Sequence, residues 1–135
     1  MMRIQLTIAS LIAGVSALEL APAARADDTV TYEVFSDSVG VANIEYLDHS
    51  GRKALENVPL PWRTDATVVS ARSTSIDDGA EVRADWRPNR AIAGTPNGFA
   101  NHWVTVRVSF QGKVICENTL DVGDAACYGS TNFRS

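Results

Sequence analysis

The stretch IEYLDHSG, residues 44–51, decides the fold, together with VPLPW at residues 58–62. Apolar and polar residues alternate along its first half, which places Tyr46 on the apolar face of an extended strand. The segment that begins at Asp48 favours a tight turn, because an Asp side chain bonds the backbone downstream and glycine accepts a positive φ. We therefore predict a strand over 41–47 with a turn directly after it.

The VPLPW segment predicts a rigid corner. Pro59 and Pro61 each lack a backbone N–H, and each disfavours a helical conformation in the residue before it. A sheet strand is therefore not expected to run through them, and Trp62 should be held at a fixed place beyond the corner. Two interpretations of Trp62 stay open: a core aromatic, or an exposed residue on which a ligand stacks.

Alternation of the same kind predicts further strands, separated by turn signals such as Asp-Asp-Gly at 77–79. No helical period follows the first 26 residues. We expect about seven short strands and an all-β fold, a single antiparallel β-sandwich of immunoglobulin-like architecture. The predicted strands are 29–35, 41–47, 66–73, 80–86, 103–110, 113–119 and 126–128.

The hairpin after Phe110 has two possible registers. A two-residue loop would pair Phe110 with Lys113, whereas a three-residue loop would pair Phe110 with Val114. The second register also turns Cys116 inward, opposite Val108. We favour it because a slip of one residue exchanges the two faces of a strand, and this choice buries the apolar set.

Residues 1–26 predict a secretory signal peptide. Arg3 gives a positive start, residues 4–18 are mostly apolar, and small residues flank Arg25 where a signal peptidase would read them. The apolar run is shorter than the roughly 20 residues that span a bilayer. We expect cleavage after Ala26, and an uncleaved N-terminal anchor is the alternative.

Charge and cysteine content bound the rest of the chain. Without residues 1–26, which hold two arginines and one glutamate, ten basic residues remain against fifteen acidic ones, a net charge of −5. This balance argues against a nucleic-acid partner. Export would place Cys116 and Cys127 in an oxidising compartment, where a single intrachain disulfide is possible. We expect one domain over 27–128, without a membrane span, and a frayed tail over 129–135.

No pattern in the sequence predicts catalysis. His49 and His102 do not have the spacing of a metal site, and neither a nucleophile elbow nor a glycine-rich phosphate loop is present. Asp77 and Asp78 alone lack the further oxygen ligands that a calcium loop needs. We therefore expect no enzymatic activity, no catalytic residue and no cofactor or metal.

The irregular segment 87–102 is the best candidate for a contact surface. Sixteen residues without a pattern are long for a loop in a compact domain, and such loops are usually functional or disordered. A solvated loop with one aromatic tucked in is the structural alternative. The candidate contacts to an anion or a partner are Arg87, Arg90, Phe99, His102 and Trp103.

Three motifs occur in a characteristic order: TYEV at 31–34, ANIEYLD at 42–48 and VPLPW at 58–62. This pattern resembles the mycobacterial membrane protein small (MmpS) family. A looser similarity continues through Arg107-Val108, Gly112, Glu117-Asn118-Thr119 and Cys127. The resemblance thus covers most of residues 29–128.

The resemblance implies a small β-sandwich in the periplasm or outer cell envelope, without catalysis or cofactor. Members assist large RND-type transporters, the MmpL proteins, which export lipids and siderophores. The expected partners are therefore an MmpL transporter or a lipid or siderophore ligand. We expect a secreted or periplasmic monomer, or a weak dimer formed through open sheet edges. The alternative is a secreted binding module that uses the 87–103 loop to hold a small amphipathic ligand or a host protein.

Overall fold

A computed structural model, which describes residues 27–131, contains eight strands in two antiparallel four-stranded sheets. One sheet has the strand order β4-β1-β6-β7 and the other β3-β2-β5-β8. The predicted all-β sandwich is confirmed, with one more strand than expected. The strands are β1 (Asp28–Phe35), β2 (Val41–Asp48), β3 (Gly51–Pro59), β4 (Trp62–Val68), β5 (Glu81–Asp85), β6 (Val104–Phe110), β7 (Lys113–Leu120) and β8 (Asp124–Tyr128).

The core lies between the two sheets and consists mainly of valines and alanines, with the rings of Tyr32 and Trp86 among them. Successive side chains of a strand point to opposite faces, so each alternating strand contributes one apolar row. In β1, the buried row includes Tyr32, and in β2 it includes Ile44; both are fully buried. Trp86, directly after β5, is the largest fully buried side chain. The alternating patterns that predict strands over 29–35, 80–86 and 103–110 thus correspond to buried rows in β1, β5 and β6.

One buried hydroxyl connects the two sheets. The Tyr32 O–H in β1 donates to the backbone oxygen of Leu47 in β2 at 2.6 Å, and it accepts the N–H of Glu81 in β5 at 3.2 Å. Burial raises the pKa of the Tyr32 hydroxyl well above its ordinary value. The hydroxyl therefore stays neutral, and it supplies partners to two backbone groups that have no access to water.

The proline corner carries the chain from one sheet to the other. β3 ends at Pro59 in one sheet, and β4 begins at Trp62 in the opposite sheet. The Leu60–Pro61 peptide bond is cis, and the N–H of Leu60 donates to the Gly40 carbonyl at 2.9 Å. The expectation that no strand runs through this corner is confirmed.

Two strands differ from the sequence prediction. The strand expected over 66–73 corresponds to β4, which begins earlier, at Trp62, and ends at Val68. The earlier start reflects the polar residues of β4, which pair with polar residues on the outer face of β1. Residues 52–57, for which no conformation was predicted, belong to β3. All six are exposed, so an alternating pattern could not develop there. The segment 87–102 also contains a four-residue helix, α1 (Arg90–Ala93), which no sequence pattern indicated.

The β6–β7 hairpin combines both of the registers considered. Phe110 pairs with Lys113 across a two-residue turn, so the favoured three-residue loop is wrong. Both turn residues have a positive φ, which a tight two-residue hairpin requires. The register then shifts at a β-bulge, so that Cys116 lies opposite Val108 as expected. The bulge allows Ile115 and Cys116, which are neighbours in sequence, both to be buried.

Glu81 lies on the outer face of β5, yet it is only 5% exposed. Its carboxylate accepts hydrogen bonds from Arg52 Nη2 at 2.7 Å and from Arg83 Nε at 2.6 Å. Burial acts to raise the pKa of Glu81, but these two guanidinium groups outweigh it and hold the pKa below its ordinary value. Glu81 thus joins β3 to β5 as an ionised, fully paired group.

A disulfide links the last two strands, which are edge strands of the two different sheets. Cys116 in β7 is bonded to Cys127 in β8, with 5.7 Å between the Cα atoms, so the predicted pairing is confirmed. The bond joins the two sheets across their edges. Packing continues to Gly129, the first residue of the expected tail: its N–H donates to the Ala80 carbonyl at 2.9 Å, and a Cβ there would collide with the carbonyl oxygen of Ala71. The predicted signal at 1–26 and tail residues 132–135 lie outside the described residues.

Removing the disulfide should destabilise the protein. The double variant Cys116→Ala/Cys127→Ala is expected to lose about 3 kcal/mol of unfolding free energy, because the bond closes a short loop in the unfolded chain. Urea denaturation of the variant and the oxidised protein measures the difference. Treatment of the double variant with a reductant should change nothing; equal stability of the two proteins would contradict a structural role for the bond.

Removing the buried Tyr32 hydroxyl should lower the free energy of unfolding without leaving a large cavity in the core. Tyr32→Phe leaves the Glu81 N–H and the Leu47 carbonyl without their partner, which is expected to cost about 1–3 kcal/mol. Tyr46→Phe is the matched control, since the Tyr46 ring lies 5.6 Å from that of Tyr32 and its hydroxyl makes no hydrogen bond within residues 27–131. Chemical denaturation of both variants should separate them, and a similar cost for both would contradict the bridging role.

Candidate functional site

The 87–102 loop is anchored to the sandwich at several points. Ile92 of α1 is buried in the core, and the ring of Phe99 packs against the core as well. A Cβ at Gly123 would lie 3.3 Å from the Phe99 ring, so the turn before β8 approaches that ring closely. Arg87 binds Asp85 through two hydrogen bonds of 2.9 Å. Phe99 and Arg87 are therefore already engaged within the fold.

The other predicted contact residues have different surroundings. His102 is half-buried, and its Nδ1 lies 3.2 Å from the Ala100 carbonyl oxygen. Arg90 is exposed at the start of α1. Trp103 is 49% exposed, although it directly precedes a strand. The five predicted residues do not form a single cluster, and Trp103 is the aromatic among them that remains available for a contact.

Trp103, which is exposed, lies near two half-buried rings, Phe35 and Trp62, at one end of the β1–β6 sheet. It lines a surface depression of about 290 Å³ together with Phe35, the last residue of β1. Phe35 also lines a second depression of about 530 Å³, whose other walls include Pro61 and Trp62. We call the surface formed by Phe35, Pro61, Trp62 and Trp103 the aromatic strip. Phe35 is its centre, since it is the wall that both depressions share.

Trp62 combines the two roles left open by the sequence. Its ring packs against that of Tyr46 in a tilted arrangement, with the centroids 5.4 Å apart, and Tyr46 in turn packs against Tyr32 in the same way. Trp62 is half-buried and also lines the larger depression. The ring thus extends the core and contributes to the aromatic strip at the same time.

A ladder of alternating charges borders the aromatic strip. Glu33 in β1 accepts hydrogen bonds from Arg63 in β4 at 3.2 Å and from Arg107 in β6 at 3.0 Å. Arg107 also binds Glu117 in β7 at 3.3 Å, and its guanidinium lies 4.8 Å from the centre of the Phe35 ring. Such a cation over an aromatic face is an attractive contact. The ion pairs with Glu33 and Glu117 hold the Arg107 guanidinium in place, and this guanidinium holds the Phe35 ring at the centre of the strip.

This arrangement suits binding rather than catalysis. Aromatic rings beside paired charges offer apolar area and polar anchors to an amphipathic partner. Among residues 27–131, no group of three or more His, Cys, Asp or Glu side chains is placed to hold a metal ion. No described helix is long and apolar enough to cross a membrane.

Sequence reasoning missed two members of this surface, Phe35 and Arg107. The signal for Phe35 was present: it continues the polar row of β1 after Thr31 and Glu33, so an aromatic ring had to face outward. Arg107 carried no comparable signal, because a single arginine on the polar face of a strand is ordinary. The meeting of Trp62 with Phe35 depends on strand order, which no local pattern contains.

Comparison with known proteins identifies one family. The family described as Mycobacterium membrane protein matches residues 13–80, half of the chain. The matched range includes β1 to β4, the proline corner and Trp62. No curated protein matches the chain significantly.

Trp62 and Trp103 should separate stability from binding area. Trp62→Ala removes a ring that packs against Tyr46, so we expect a loss of about 2 kcal/mol, less than for a fully buried tryptophan. Trp103→Ala, which removes a half-exposed ring, should change stability by less than about 0.5 kcal/mol. Thermal and urea unfolding of both variants tests this. A larger loss for Trp103→Ala would show that this ring is structural and remove it from the candidate surface.

Proposed function

The chain belongs to the Mycobacterium membrane protein family, of the MmpS type, and from this membership we propose that it assists an MmpL transporter of the RND type in exporting lipids or siderophores. The family consists of non-catalytic accessory proteins. The single observation that carries the proposal is the family match over residues 13–80. Its domain works outside the cytoplasmic membrane, in the periplasm or outer cell envelope, or in secreted form.

The aromatic strip supports this proposal as the docking surface for the transporter. Tryptophan and arginine are among the residues that most often dominate protein interfaces, and phenylalanine is enriched there as well. Trp103 and Phe35 present such rings, and Arg107 holds Phe35 in place. The two depressions offer room for apolar side chains of a partner, while the charge ladder provides polar contacts at the rim.

The N-terminus decides how the domain stays near its partner. Cleavage after Ala26 would release a diffusible protein, and retention of residues 1–26 would keep it at the membrane. Neither form changes the surface that we propose for docking. Mass spectrometry of culture filtrate and membrane fractions distinguishes the two by the presence or absence of an N-terminus at Asp27.

Deletion of the gene should lower export of a lipid or siderophore, and the wild-type gene should restore it. Restoration by Trp103→Ser should be strongly reduced, because loss of a tryptophan that anchors an interface typically weakens it by about 2 kcal/mol, or roughly 30-fold. Ile76→Ser is the matched control: Ile76 is 77% exposed in the turn before β5 and lies outside the strip. Extracted lipids and siderophores are compared by mass spectrometry, and co-purification reports the transporter.

Unchanged export after deletion, together with no transporter in the co-purified material, would contradict the transport role. Unchanged export with Trp103→Ser alone, at normal protein level, would contradict the strip and leave the family role standing.

The second candidate function is a secreted binding module for a small amphipathic ligand or a host protein. Exposed Arg90 in α1 and half-exposed Trp103 at the end of the 87–103 loop favour it. Arg90→Ala should then weaken ligand binding without altering export, which separates this function from the first.

A further inference from the structure

β3 is the most exposed strand of the fold. It is an edge strand, hydrogen-bonded to β2 on one side only, and with nine residues it is the longest strand described. Residues 52–57 are all exposed, and Leu55 is 37% exposed. A long exposed edge presents a row of unpaired N–H and C=O groups that another strand can extend.

Each of the other sheet edges makes at least one hydrogen bond to the opposite half of the sandwich. The Asn118 side chain in β7 donates to the Ala126 carbonyl in β8 at 2.6 Å, next to the disulfide that joins these two strands. At the opposite side, the N–H of His49 donates to the Thr67 carbonyl in β4 at 2.6 Å. Within residues 27–131, no element covers the free side of β3.

The hairpin register shows which backbone groups of β3 are free. Gly51 pairs with Asp48 across a two-residue turn, so hydrogen bonding to β2 alternates from Gly51 to Lys53 and Leu55. Arg52 and Ala54 therefore direct their N–H and C=O groups to the open edge, and Glu56 follows them at the start of the β-bulge that lies between Leu55 and Val58. The side chains at 52, 54 and 56 share one face of the strand.

We propose that β3 pairs antiparallel with β3 of a second copy of this chain, with the twofold axis at Ala54. This register joins two four-stranded sheets into one of eight strands. In an antiparallel pair of strands, two residues directly opposite each other either both form hydrogen bonds to the other strand or both direct their N–H and C=O groups away from it. With Ala54 opposite Ala54 of the second copy, Arg52 lies opposite Glu56 of the second copy, and the twofold repeats this ion pair.

The neighbouring registers lack this complementarity. An axis at Lys53 would place two lysines opposite each other, which destabilises a sheet. An axis at Leu55 would leave Glu56 opposite Ala54, without an ion pair. Arg52 can serve both contacts, since one guanidinium nitrogen binds Glu81 at 2.7 Å and its side chain is still 40% exposed. The self-complementary charges thus favour a second copy as the partner of this edge.

Sedimentation velocity at concentrations from about 10 μM to 1 mM tests the proposal, with the protein as isolated and its N-terminus determined. We expect reversible dimerisation that weakens as salt is raised. Glu56→Lys places lysine opposite Arg52 twice, so dimerisation should weaken about tenfold or more. Asp77→Lys is the matched control, because it makes the same charge change at an exposed turn residue away from β3 and should leave dimerisation unchanged.

Ala54→Pro provides the backbone test. It removes an N–H that points to the open edge, not one that binds β2, so the variant should fold and remain monomeric at all concentrations. Hydrogen exchange of the Arg52 and Ala54 amides in the wild type should slow as concentration rises.

Three results would overturn the proposal: a wild type that is monomeric at 1 mM, dimerisation unaffected by Glu56→Lys, or protection of these amides that does not depend on concentration. The last result would mean that another segment of the same chain covers the edge. Because none of these measurements involves a transporter, their failure is distinct from failure of the transport role.

Discussion

One buried hydroxyl bridges the two sheets in the interior of the sandwich. Tyr32 reaches from β1 into the opposite sheet and satisfies one backbone group in β2 and another in β5. The hydrophobic effect is not directional and sets only how much surface is buried, whereas hydrogen bonds require defined geometry. The Tyr32 hydroxyl therefore fixes how one sheet lies over the other. Tyr46 packs against Tyr32, and Trp62 packs against Tyr46, so the positions of both rings depend on that of Tyr32.

These packed rings connect the core to the surface. Trp62 touches Tyr46 on one side and lines the larger depression on the other, so the floor of the aromatic strip is continuous with the most tightly packed part of the molecule. Binding surfaces benefit from such support, because rigid side chains lose little entropy when a partner binds. Phe35 is supported in a different way, by a guanidinium held in a charge ladder across four strands.

The sequence predicted those features of the fold that are local and periodic. The strands with one buried row, such as β1 and β6, have the alternation that identifies them, and the corner at Pro59 and Pro61 follows from missing N–H groups. β3 was not predicted because both of its faces are exposed, so its sequence shows no alternation of apolar and polar residues. The bulge near Ile115 was not predicted because it arises from tertiary packing, in which two adjacent residues, Ile115 and Cys116, are both buried in the core.

The candidate surface was predictable only in part. Trp103 was expected to make contacts, and its exposure agrees with that role. Its neighbours on the strip come from β1 and from the corner before β4, far away in sequence, and only the sheet order brings them together. Phe99 and Arg87 had the right chemistry for a contact surface, but the fold uses them to fix the loop.

The position of β1 has a consequence for how the protein acquires its structure. β1 is the first described strand, yet both of its neighbours, β4 and β6, follow much later in the chain. Long-range pairing of this kind slows folding, because a large loop must close before any contact forms. A chain that emerges N-terminus first leaves β1 without a partner until residues 62–68 have followed, and half-paired until 104–110 arrive. The sheet that contains β1 is therefore completed only after residues 104–110 are present, whereas the β2–β3 hairpin of the other sheet needs only local contacts.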